Sequence, residues 1–169
     1  FYEKKFKIGK KIRFFINNSQ KFRLDEEIIS QIQKKTENDI IKFVKKNLNK
    51  YSLLIVSDYK KGLISRKLFK KLSTLFINKK KHVITNPKQK DVSFYSNSTI
   101  IVPNEKEFNN FFSKNLKFSS KIEKFFRNSK IENLIITRGK KTLLYFNKDK
   151  EKFLFKIKKI KSFDVTGAS

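Results

Sequence analysis

The chain has 169 residues, with 42 lysines and arginines against 15 aspartates and glutamates, a formal net charge of +27, one histidine and no cysteine, methionine or tryptophan. That length suits a single domain able to bury a sizeable core, and no apolar run approaches the roughly 20 residues of a membrane span. The lack of cysteine excludes disulfides, thiolate zinc sites and cysteine nucleophiles, and His82 has no second histidine with which to build a metal cluster or a triad.

Taken in chain order, residues 11–16 and 21–25 read as two short strands joined by the turn Asn17-Asn18-Ser19. A helix is predicted over 37–48, where Ile40, Ile41, Val44 and Leu48 fall on one face. Leu53-Leu54-Ile55-Val56 is a continuous apolar run of the kind expected of a strand buried on both faces of a parallel sheet. It ends at Ser57-Asp58-Tyr59, and a second helix begins near Ser65, whose hydroxyl is placed to cap it. Val83-Ile84-Thr85 forms the next strand, entered by His82 and closed by Asn86-Pro87-Lys88. Thr99-Ile100-Ile101-Val102 follows and is stopped by Pro103. Asn104 then caps a helix with Glu105 and Glu107 in its first turn, where negative charge suits the helix dipole. A further helix over 121–129, a strand at Leu134-Ile135-Ile136 and a hairpin pair over 142–146 and 152–157 complete the series.

Strand and helix alternate, which gives an α/β fold with helices on the faces of a mostly parallel sheet. Phe108, Phe111 and Phe112, like Phe125 and Phe126, recur at helical spacing, so the 19 phenylalanines read as core filling. The lysines are spread along the whole chain among Phe, Ile and Asn, residues that share A/T-rich codons, so biased composition accounts for the charge without a polyanion partner. Clusters such as Lys79-Lys80-Lys81 and Lys158-Lys159 read as solvated strand ends.

In such a sheet, ligands bind beyond the carboxyl ends of the strands. Those exits are Ser57-Asp58-Tyr59-Lys60-Lys61-Gly62, Asn86-Pro87-Lys88, Pro103-Asn104-Glu105-Lys106-Glu107, Thr137-Arg138-Gly139 and Asp164-Val165-Thr166-Gly167-Ala168. Each alone has an ordinary structural explanation as a cap, turn or loop end. Together they supply what phosphoryl transfer needs: oxygens for hydrated Mg2+, cations for phosphate, and small residues whose amides can cradle an anion.

These segments carry a resemblance to the ribokinase-like (PfkB) sugar kinases and, within them, to the kinase domain of bacterial bifunctional heptose 7-phosphate kinase/heptose 1-phosphate adenylyltransferases. The family's "LSDYGKGVL" resembles the stretch from Val56 to Leu63, "DPKG" resembles Asn86-Pro87-Lys88-Gln89, and "TPNxxEF" resembles Val102 to Phe108. "VTRGxxG" is similar to Ile136-Thr137-Arg138-Gly139, "DVTGAGDT" to Asp164-Val165-Thr166-Gly167-Ala168-Ser169, and "KxRxxxxxQQxxRxD" to the segment from Ile12 to Asp25. Asn86, Gln89 and Ser169 depart from the family's Asp, Gly and Gly.

The resemblance implies a ribokinase-like, Rossmann-type sandwich, with residues 1–169 as the carboxyl-terminal portion of the kinase domain, truncated at both ends. It implies that the amino-terminal Gly-Gly sugar-binding motif and lid, and the segment bearing the catalytic Asp, lie outside the chain. That base would be the residue immediately after Ser169. The activity implied is ATP-dependent and Mg2+-dependent phosphorylation of a sugar hydroxyl, with heptose 7-phosphate as acceptor. Thr166, Gly167, Ala168 and Ser169 would form the anion hole. Asn104, Glu105, Lys106, Glu107, Thr137, Arg138, Gly139 and Asp164 would serve ATP and water-bridged Mg2+, the latter near Asn104 and Glu107. Asp58, Lys61 and Lys88 would contact substrate or phosphate. A cytoplasmic enzyme, dimeric at full length, with no membrane and no specific nucleic-acid partner is expected, the fragment alone being inactive. The competing readings are a PfkB kinase for another sugar or a nucleoside, discriminated by the amino-terminal third, and a basic nucleic-acid-binding module or decayed kinase, discriminated by salt-dependent DNA binding.

Overall fold

A computed structural model of the chain describes residues 9–17, 19–27, 29–139 and 142–156. Strands β1 (Lys10–Ile16) and β2 (Ser19–Glu26) pair antiparallel in a sheet of their own. After them come helix α1 (Lys34–Asn47), strand β3 (Leu53–Ser57), helix α2 (Arg66–Ile77), strand β4 (His82–Asn86) and strand β5 (Ile100–Ile101). Helices α3 (Glu105–Asn110) and α4 (Phe118–Asn128) and strands β6 (Asn133–Thr137), β7 (Thr142–Asn147) and β8 (Lys152–Lys156) complete the order.

The main sheet has six strands in the order β3-β4-β5-β6-β7-β8. Neighbours from β3 to β6 run parallel, and β7 and β8 add antiparallel strands at the far edge. This is the α/β fold with a mostly parallel sheet that the alternation of elements predicts. Only Ile100 and Ile101 make β5, yet its pairing to β4 extends at both ends through Thr99 N–H to Val83 O (2.9 Å) and Val102 N–H to Thr85 O (2.8 Å). No helix among the described residues is long and apolar enough to cross a membrane.

Register sorts the strand residues into two faces. Leu54, Val83 and Val56, Thr85 are paired neighbours on one face, continued by Ile101, Leu134, Ile136, Leu144 and Phe146. Apart from the half-buried Leu54, all of these are buried, and Phe69, Phe76, Phe108 and Phe125 of α2, α3 and α4 share their core. The opposite face carries Leu53, Ile55, Ile84, Ile135, Tyr145, Phe153 and Phe155, and here Ile55 is 67% exposed. The expectation that residues 53–56 are buried on both faces is therefore corrected. The strand has a neighbour on one side only, among the described residues, and its side chains alternate between a covered and an open face. Among the described residues, the helices pack on the covered face. Each parallel step moves one strand along the sheet, and right-handed crossovers in a constant direction deliver their helices to the same side.

Two compositional expectations change as well. Phe14, Phe15, Phe22, Phe43, Phe118, Phe153 and Phe155 are exposed, so the phenylalanines do not serve the core alone. Phe14 and Phe22 instead stack across the β1-β2 ladder at 4.6 Å between ring centroids. Lys81 is half-buried rather than simply solvated. Its ammonium donates to Leu48 O at 2.6 Å and also to Tyr51 O, tying the end of the α1 arm to the entry of β4.

Helices α2 and α3 start at side-chain caps, Ser65 and Asn104, whereas α1 and α4 start without one. Ser65 Oγ accepts from Leu68 N–H (2.9 Å) and donates to the buried Glu37 of α1, so one hydroxyl both caps α2 and joins it to α1.

Candidate active site

Because β3, β4, β5 and β6 pair in sequence order, their carboxyl ends form a row, and each end is tied to the next. Asp58 follows the buried Val56 and is itself only 5% exposed. Its N–H continues the ladder to Asn86 O at 3.0 Å. Its Oδ1 accepts from Lys60 N–H at 2.7 Å, an Asx-type turn that reverses the chain. Its Oδ2 accepts from the Tyr95 hydroxyl at 2.5 Å and from Gln89 Nε2 at 3.3 Å. The Tyr95 oxygen in turn accepts from the N–H groups of Lys88 (3.0 Å) and Gln89 (3.1 Å). Burial, reinforced by the Asp58 carboxylate, pushes the Tyr95 phenol well above its ordinary pKa and keeps it protonated.

Tyr95 is delivered by a short 3-10 helix at Val92–Tyr95. Asp91 caps it by accepting from Ser93 N–H at 2.9 Å, and Arg66, the first residue of α2, bonds Asp91 Oδ2 at 2.6 Å. The same guanidinium lies 5.1 Å from the centroid of the Phe94 ring. The Ser93 hydroxyl, with Arg66 beside it, holds the Asp91 carboxyl below the usual carboxylate range.

The β4 and β5 ends are joined through charge. Lys88 Nζ donates to Glu107 Oε1 at 2.8 Å, while Glu107 Oε2 accepts from Asn104 N–H at 3.0 Å and Asn104 Oδ1 accepts from Glu107 N–H at 2.8 Å. The reciprocal pair is a capping box, the arrangement expected when Asn opens a helix and Glu stands three residues later. Backbone pairing then joins β5 to β6: Asn104 bridges Thr137 in parallel, and Thr137 N–H bonds Pro103 O at 3.0 Å. Arg138 reaches back to Glu105, with Nε at 2.8 Å from Oε1. Gly139 turns with φ +58° beside open space.

Asp58, Lys88, Asn104, Glu105, Glu107, Thr137, Arg138 and Gly139 thus form one linked rim. Lys61 stands on its margin, in an ion pair with Glu27 just after β2. Lys106 is exposed and borders an open cleft of about 750 Å3 beside α3 and α4, where Lys121 Nζ bonds Asn109 Oδ1 at 2.7 Å. Of the sequence-derived candidates only Glu105 and Lys106 line that cleft. Asp164, Thr166, Gly167, Ala168 and Ser169 lie outside the described residues. Motif reading missed Tyr95 and the role of Gln89, which replaces a small residue of the motif yet bonds Asp58. Tyr95 left one sequence signal. It is one of only 5 tyrosines beside 19 phenylalanines, and a buried tyrosine needs a partner for its hydroxyl.

Among the described residues no three histidine, cysteine, aspartate or glutamate side chains converge as metal ligands. Both Glu107 oxygens already have protein partners. The donor set therefore fits a cation held mainly by other oxygens, with water between it and Glu107, the mode magnesium favours.

Comparison with known proteins bears on the fold and the family. The pfkB family carbohydrate kinase profile matches residues 18–168. The bifunctional protein HldE of Desulfatibacillum aliphaticivorans is 30% identical over 163 residues, covering 94% of this chain and 33% of that protein. The chain spans about a third of the length of the curated relatives that it matches nearly end to end. Among solved structures, the tetrameric inhibited form of Escherichia coli phosphofructokinase-2 superposes with TM-score 0.63 at 12% identity, over 83% of this chain and 48% of that one. A provisional ribokinase II of Escherichia coli in complex with ATP and Mg2+ gives TM-score 0.54 at 18% identity, over 73% and 44%. These likenesses support the fold, and the profile match over most of the sequence shows that the chain belongs to the pfkB family of carbohydrate kinases.

Proposed function

We propose that the full-length protein transfers the γ-phosphoryl group of ATP to a hydroxyl of a phosphorylated sugar. The acceptor favoured by the sequence motifs is D-glycero-β-D-manno-heptose 7-phosphate, giving the 1,7-bisphosphate on the route to ADP-heptose, a lipopolysaccharide core precursor. The observation that carries this reading is the linked rim, in which four neighbouring strand ends place carboxylates, amides and cations in one continuous network.

In this reading Asn104, Glu105, Lys106 and Glu107, with Thr137, Arg138, Gly139 and Asp164, face the nucleotide. Arg138, already oriented by Glu105, supplies fixed positive charge toward the triphosphate. Glu107 orients water around Mg2+, which, when bound, offsets charge on the β- and γ-phosphates. Lys61 and Lys88 serve the acceptor's own phosphate. Thr166, Gly167, Ala168 and Ser169 contribute amides toward the transferred group, and an aspartate following Ser169 takes the proton from the attacking hydroxyl. In this reading the whole enzyme works in the cytoplasm.

The test is to incubate the full-length protein with ATP, Mg2+ and heptose 7-phosphate while following ADP release and the new phosphate ester by phosphorus NMR. The expected result is turnover that chelation by EDTA abolishes. No turnover with any phosphorylated sugar would overturn the reading, and preference for an unphosphorylated sugar or a nucleoside would replace the acceptor.

A further inference from the structure

The Tyr95 side chain is fully buried, yet its hydroxyl uses its whole bonding capacity, one donor and two acceptors, on the ends of two neighbouring strands. The two N–H groups it receives, those of Lys88 and Gln89, are consecutive in the turn after β4. Both amides are therefore committed inward, so that turn has no free N–H at these positions with which to cradle an anion. What it presents outward is the Lys88 ammonium, at the rim beside Glu107. The inner end of the arrangement is fixed in turn, because Asp58 is held by Lys60 N–H and Gln89 Nε2 as well as by the phenol.

We infer that Tyr95 is a positioning residue for the phosphate group of the acceptor: it locks the turn at residues 86–89 against Asp58 so that Lys88, and not the turn's backbone, meets that phosphate. The inference rests on the phosphorylated-sugar reading above. Removing the phenolic oxygen strands two amide donors and takes one donor from a buried carboxylate, so the turn relaxes and Lys88 loses its fixed direction. Asp58 then acts through Tyr95 and is not required to touch substrate.

The experiment measures initial rates of the full-length enzyme, varying heptose 7-phosphate at saturating Mg-ATP and then varying ATP at saturating acceptor. Tyr95→Phe is expected to raise KM for the phosphorylated acceptor about tenfold while KM for ATP stays within about twofold. Phe76→Leu, a buried change at the other end of α2, should lower stability without moving that ratio. Lys88→Gln leaves the Tyr95 contacts in place and should raise the acceptor KM at least as much. An equal rise in both KM values for Tyr95→Phe, or no rise for Lys88→Gln, overturns the inference, the second even if Tyr95→Phe does not fold. A wild-type enzyme that phosphorylates no sugar phosphate overturns the underlying reading and the inference with it, whereas wild-type turnover with unchanged ratios in both variants overturns the inference alone.

Discussion

Gly62 adopts φ +93°, and a β carbon there would drive far inside contact distance of the Ser30 carbonyl oxygen. The chain reverses after β3 through Lys60, also at positive φ (+56°), and Gly62 O accepts from Ile32 N–H at 3.3 Å. The stretch leading into α1 thus lies directly across this turn, and only a glycine leaves room. Gly62→Ala should lower stability by at least about 2 kcal/mol, since left-handed backbone strain adds to a backbone clash with no flexible atom to move. Urea denaturation checks this, and a loss below about 0.5 kcal/mol, the size of an ordinary surface change, would show that the Ser30 segment yields. The sequence marks Lys60-Lys61-Gly62 as a strand exit, but the reason for glycine comes from a residue far upstream. Tyr95 escaped motif reading for a similar cause. Its partners Asp58, Lys88 and Gln89 come together only when β3 and β4 pair. By contrast, Asn104 and Glu107 were legible because a capping box is a contact between residues three apart.

At the level of elements, the 3-10 helix at Val92–Tyr95 works as a clamp between the ends of β3 and β4, and its strength depends on a protonated phenol. An unfolded tyrosine loses its proton near pH 10, while burial holds Tyr95 protonated to higher pH. Above pH 10 the native state therefore binds more protons than the unfolded state, and stability must fall as pH rises. The contribution is complete below about pH 10 and is lost beyond it, with a limiting slope of about 1.4 kcal/mol per pH unit for one proton. Denaturation midpoints between about pH 9.5 and 11.5 should fall less steeply for Tyr95→Phe than for wild type. All other ionisable groups are common to both proteins, so the difference isolates the phenol. Equal slopes would mean that the phenol does not control the clamp. Elements with strong local signals were readable from sequence, including the Ser65 cap of α2 and the succession of strands and helices along the chain. Which strand has an open face was not, because Leu53-Leu54-Ile55-Val56 looks alike whether one or two layers cover it.

For the molecule as a whole, two opposing forces decide its behaviour in solution. The open face of the sheet carries Ile55, Phe153 and Phe155, each at least 45% exposed, and β3 has an unpaired edge among the described residues. Against association stands the net charge of +27, which makes copies repel. Salt screens the second force and not the first. The Debye length falls from about 20 Å at 20 mM to about 4 Å at 0.5 M, shorter than the reach of neighbouring lysines. Light scattering on the 169-residue chain should therefore show monomer at low salt and growing association as salt rises. Ile55→Lys, at a position already 67% exposed, should suppress that growth with little loss of stability. Unchanged association in Ile55→Lys would clear this face of responsibility. The sign of the salt effect also separates this account from a polyanion-binding one, because complexes held by phosphate contacts dissociate as salt rises.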